Sequence, residues 1–105
     1  MTSLYRAKIL VEAEDPVKLR GVLEELYSRV EGLEKIGGAA IWSSGNVLVK
    51  VIIPRMQQAQ PLSYINVPRG VIIEFSSTNP SELVVVIGDI VKFLRGKHVL
   101  VSLLE

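Results

Sequence analysis

No cysteine occurs among the 105 residues. Disulfides, thiol catalysis and cysteine-held metals are therefore excluded. Histidine is nearly absent. The single copy, His98, stands beside Lys97 with no evident carboxylate or second ligand, and reads as an ordinary surface residue. Neither charge sign dominates: Lys plus Arg number 12 against 11 Asp plus Glu. Such a balance gives no general attraction to nucleic acid or to a membrane surface. No apolar run approaches the roughly 20 residues of a spanning helix. The opening residues, MTSLYRAK, lack a charged-then-apolar export pattern. The expected location is the cytoplasm, without membrane contact.

Catalytic arrangements are also missing. Asp15 and Asp89 are the only aspartates, and Asp15 is accounted for as a helix cap. Glu12 and Glu14 share a strand face at a strand end, while Glu24 and Glu25 point to different sides of a helix. Neither pair suits general acid–base work. No Ser has a His–acid partner. Gly37-Gly38 precedes a strand rather than a helix start, so it is no phosphate loop. The expectation is a protein that is not an enzyme and has no cofactor and no metal.

What is present is aliphatic. The hydrophobic fraction is 49%, with only six aromatics. A chain of this length is one domain and buries about two-thirds of its unfolded surface. So much aliphatic material is hard to hide in one small core, which points to contact with a partner. Few Asn and Gln beside abundant Glu, Lys, Arg, Ile and Val are compatible with a thermophilic source.

Tyr5, Ala7, Ile9, Val11 and Ala13 alternate with Arg6, Lys8, Leu10 and Glu12, the pattern of a half-buried strand. Asp15-Pro16 opens a helix, followed by Leu19, Val22, Leu23, Leu26, Val30 and Leu33 at helical spacing. Glu25→Arg29 and Glu31→Lys35 are favourable four-residue pairs on it. Its end is expected near Gly32, or at latest by Gly37-Gly38. Residues 39–42 and 47–53 read as strands joined by a hairpin at Ser43-Ser44-Gly45-Asn46. Residues 71–76 are a further strand.

Asn79-Pro80-Ser81-Glu82 starts a second helix, with Glu82 spaced to reach back to the cap amide. That helix continues through Leu94 and ends at Gly96, and 99–104 closes the sheet. The order is that of an α+β, ferredoxin-like βαββαβ plait. An extra strand and a long 54–70 loop are added, and two helices lie on one face of a mostly antiparallel sheet. The whole of 1–105 is one such domain.

In this plait one sheet face is free of helices. Leu10, Leu48, Ile52, Ile72, Leu100 and Leu104 fall on it, mixed with Arg6, Lys8, Lys50, Glu12 and Glu74. The charges are expected toward the strand ends, with the apolar residues central. Helix two is apolar nearly all round: Leu83, Ile87, Ile90, Val91 and Leu94 make one stripe, and Val84, Val85, Val86 and Phe93 cover much of the rest. The sheet face together with Val84, Val86 and Phe93 is the candidate protein interface.

The stretch RMQQAQPLSYINVPRG, residues 55–70, holds every Gln of the chain. Arg55 and Arg69 bracket Gln57, Gln58, Gln60 and Tyr64, a set that suits contact with a nucleic-acid backbone and stacking on a base, or contact with a protein partner. Residues 56–60 read as a flexible tip. Residues 62–67 alternate like a short strand that extends the sheet or adds to a partner's edge.

The segment VEAEDPVKLRGVLEELYSRVEGLEKIGGAAIWSSGNVLVKV, residues 11–51, resembles ACT-type and related transcription-factor effector domains in its strand–Asp–helix–hairpin order. That resemblance implies plaits that pair through their sheets and bind amino acids at the interface. The chain departs from the pattern where Val17-Lys18 replace the Gly expected soon after the Asp, and the long loop has no counterpart.

The sequence thus favours a non-catalytic interaction module, a homodimer or a small subunit of a larger intracellular assembly, with itself or another protein as partner. The alternatives are an RNA- or single-strand-binding accessory protein and an ACT-like ligand sensor.

Overall fold

The computed structural model describes residues 3–53 and 70–104. The elements run β1 (Tyr5–Glu12), α1 (Pro16–Ser28), β2 (Glu34–Ile36), β3 (Ala39–Ser44), β4 (Val47–Ile52), β5 (Gly70–Ser77), α2 (Pro80–Gly96) and β6 (Leu100–Leu104). Among the described residues they form one six-stranded sheet in the order β2-β3-β4-β5-β1-β6, with every neighbouring pair antiparallel. Both helices pack on one face, as an α+β plait requires.

The plait itself is β6-β1-β5-β4, so the strand that follows residues 54–69 lies inside it, between β4 and β1. The sheet grows instead at the other end, where β3 and the three-residue β2 extend it beyond β4. β2 was not legible, because the apolar spacing of Val30 and Leu33 continues the helical period past the point where the helix stops.

That stop comes at Ser28 rather than near Gly32. Ser28 Oγ donates to the Glu25 carbonyl at 2.7 Å, and the Arg29 and Val30 amides close on the Leu26 and Tyr27 carbonyls respectively. A hydroxyl so engaged competes with continued helix. Gly32, at φ +70°, then turns the chain into β2. The expected Glu31→Lys35 helical pair does not form, since Lys35 is a strand residue.

Both helix starts follow their sequence signals. Asp15 accepts from the Val17 amide at 2.9 Å, and Asn79 Oδ1 accepts from the Ser81 and Glu82 amides. Glu82 does not reach back to its cap. It accepts from the Asn46 amide at 3.1 Å, tying the β3–β4 turn to α2, while the Asn79 amide donates to Ser77 Oγ. At the far end of α2, Gly96 is still helical; Lys97 caps and His98 takes the left-handed conformation at φ +61°.

The core lies between the helices and the inward face of the sheet. Ile9, Val11, Val49, Val51, Val71, Ile73 and Phe75 meet Leu19, Val22, Leu23 and Leu26 of α1 and Leu83, Ile90 and Leu94 of α2. Val30 and Leu33, beyond the end of α1, still pack against its edge.

Candidate interaction surfaces

The register of five strand pairs fixes the other face. Leu10 stands opposite Ile72, Ile72 opposite Ile52, Ile52 opposite Ala39, and Ala39 opposite Ile36. One apolar row therefore crosses β1, β5, β4, β3 and β2. Four strand spacings make it about 19 Å long. Alternation turns it away from the helices, because Ile9, Ile73 and Val51 beside it point into the core. Leu10, Ile72 and Ile52 are half-buried, and Ile36 is exposed.

Gly70 permits a close arrangement at one end of this row. A Cβ there would lie 3.2 Å from the Val11 carbonyl, 3.3 Å from Glu12 Cγ and 3.4 Å from Leu10 Cδ1. The Leu10 and Glu12 side chains thus lean over the glycine.

The charges on this face are not confined to strand ends. Lys8, Glu74 and Lys50 stand opposite one another in a second row through the middle of the sheet, flanked by Leu104 and Ile41. The alternating signs of neighbouring strands are favourable pairs. Leu48 lies beyond this row, and Leu100 lies beside Glu12 at the opposite end, 71% exposed.

The outward side of α2 is smaller. Val84 is 69% exposed and Val85 61% exposed, and a Cβ on Gly88 would meet nothing within 4 Å. Val86 packs partly against the core. Phe93 also packs against it and lies beneath the Arg29 guanidinium at 4.5 Å and the Lys97 ammonium at 5.6 Å. Lys97 pairs with Glu25 as well, so Glu25 and Arg29, expected to pair along α1, each bridge to the end of α2 instead. Sequence reasoning did not single out Val85 or Ile36 for contact. Ile36 was hidden because a three-residue strand carries too little alternation to be read.

A cleft of about 540 Å³ opens between α1 and the sheet ends at β3 and β5. Leu19, Leu23, Ala40 and Val71 line it with Ile53, and Arg20, Glu24 and Lys35 bring charge to it. Tyr27 closes one side, edge-on to Trp42 with ring centres 6.1 Å apart, and the Lys35 ammonium lies 5.5 Å from its ring centre. Burial pushes the Tyr27 phenol above its ordinary value of 10.0.

Arg55, Gln57, Gln58, Gln60, Tyr64 and Arg69, the set read for nucleic-acid or partner contact, lie outside the described residues, as does the alternating segment 62–67. Among the described residues no cluster of acidic and histidine side chains could hold a metal ion, and no helix is long and apolar enough to cross a membrane. Compared with known proteins, the chain matches no family model, no curated protein and no solved structure.

Proposed function

We propose that the protein is a non-catalytic interaction module that holds another protein against the helix-free face of its sheet. The carrying observation is the row Leu10–Ile72–Ile52–Ala39–Ile36, continuous across five strands and turned away from the chain's own core. An apolar patch of this kind marks an interface. Five spacings across the sheet and eight residues along β1 give a face of about 24 by 27 Å. That is roughly 650 Å² at most, since β2 and β6 are shorter than β1, toward the lower end of the ~600–1,000 Å² per partner of a specific interface. Val84 and Val85 offer a second, smaller apolar surface on α2. Light scattering on the purified chain, with affinity capture from its host, tests the reading. It expects either self-association at micromolar concentration or a stoichiometric protein partner. A monomer that captures nothing rejects it.

A second reading concerns the α1 cleft. Its volume lies within the range of small-molecule sites, and its floor is apolar. Arg20 and Lys35 suit a carboxylate and Glu24 an ammonium, the two charges of an amino acid. A thermal-shift panel of free amino acids tests it. A flat panel removes it.

A further inference from the structure

We infer that the occupant of the helix-free face is a second copy of this chain, docked about a two-fold axis lying along the Leu10–Ile72–Ile52 row. This rests on the interaction reading above and adds the partner and the geometry.

The face is complementary to itself. An axis along the row maps each residue on it onto its own copy: Leu10 meets Leu10, Ile72 meets Ile72, Ile52 meets Ile52. Residues on one side of the row meet those on the other side of the same strand. On β1 the positions beside Leu10 are Lys8 and Glu12, so Lys8 of each copy faces Glu12 of the other. On β6 the corresponding positions are Leu104 and Leu100, beside Lys8 and Glu12 respectively, so these leucines face each other. Opposite charges and apolar side chains are brought together by one operation.

Glu34 of β2, beside Ile41, continues the row of Lys8, Glu74 and Lys50 and makes it neutral as a whole, so the charged contact across the axis is that of Lys8 with Glu12. Lys8 already stands opposite Glu74, whereas Glu12, about 14 Å away along β1, stands between Gly70 and Leu100 and gains its opposite charge from the second copy. The operation also keeps strand directions nearly aligned, one of the two common ways in which sheets stack. Pairing along the β6 edge or through Val84 and Val85 would leave the five-strand row uncovered.

The absence of native cysteine makes the test direct. Facing backbones lie about 10 Å apart in stacked sheets, beyond the reach of a disulfide, so a short bis-maleimide is the probe. Single variants Ile72→Cys, Leu103→Cys and Val84→Cys report the face, the β6 edge and α2. Only Ile72→Cys should give high yields of cross-linked dimer at micromolar concentration. Independently, Lys8→Glu should weaken the dimer about tenfold by placing like charges together at two symmetric contacts, and adding Glu12→Lys should restore it. Circular dichroism confirms that each variant is folded.

Cross-linking confined to Leu103→Cys or Val84→Cys overturns the inference and moves the interface off the helix-free face. A monomer that binds a different protein through the face around Ile72 overturns the second copy alone. If Ile72→Cys is monomeric and its thiol is shielded from maleimide, the face is closed to a second copy and the inference falls. If Ile72→Cys is monomeric with a reactive thiol and no partner, the inference and the reading fall together.

Discussion

Leu10 of β1 and Ile72 of β5 stand directly opposite each other on the face that neither helix covers, while their neighbours Ile9 and Ile73 form the matching pair on the core side. Two adjacent cross-strand pairs of the same chemistry therefore have opposite consequences. Ile73 is fully buried, so Ile73→Ala should cost about 2–5 kcal/mol in urea unfolding. Ile72→Ala, measured at dilution where the chain is monomeric, should cost about 1 kcal/mol or less. Equal losses would show that the two faces are not distinguished as described.

The Glu82–Asn46 bond joins positions 36 residues apart in sequence. It anchors the β3–β4 turn to the first turn of α2. Glu82→Ala should lower stability by about 1 kcal/mol. It should also raise amide exchange at Asn46 by hydrogen-exchange NMR, because that donor loses its acceptor. An unchanged Asn46 amide would show that the contact contributes nothing.

Two residues sit at backbone positions that cost stability. His98 adopts a left-handed conformation that costs a side-chain-bearing residue about 1–2 kcal/mol. Gly88 sits mid-helix where a Cβ would meet open space. His98→Gly and Gly88→Ala should each raise the melting temperature, by up to about 1 kcal/mol of stability. Gly88→Ala should leave association intact, because the proposed interface is the sheet face and not α2. A loss of association with this variant would move the interface to α2.

Tyr27 predicts an alkaline response. Burial raises its folded-state pKa above 10.0, whereas in the unfolded chain it titrates near that value. The folded chain then holds a proton that the unfolded chain releases. Its contribution is therefore complete below pH 10 and is lost as pH rises through the folded value. Tyr27→Phe should flatten that part of the decline in chemical-denaturation curves above pH 10. Parallel curves for the two proteins would contradict the assignment.

Much of the fold was legible because its signals are local. Asp15-Pro16 and Asn79-Pro80 mark both helix starts, and period-two alternation marks β1, β4 and β5. The misread parts depend on contacts distant in sequence. Glu82 has an equally good local and non-local acceptor role, and only the fold places Asn46 beside it. The αL position after α2 falls on His98 although Gly96 is the obvious candidate, because the last helical turn runs through that glycine. The composition of the outer face was legible from alternation, but its pattern was not. Whether Lys8 aligns with Glu74 or with Ile72 depends on strand register, which the unpaired sequences do not encode.

Molar mass by light scattering at micromolar concentration, for the unmodified chain and for Ile72→Lys, tests the central claim most directly. That substitution would bring two like charges face to face on the axis while leaving the core untouched. The account predicts twice the chain mass for the unmodified protein and a folded monomer for the variant. An unmodified chain that is monomeric, or a variant that keeps the two-copy mass, would contradict it.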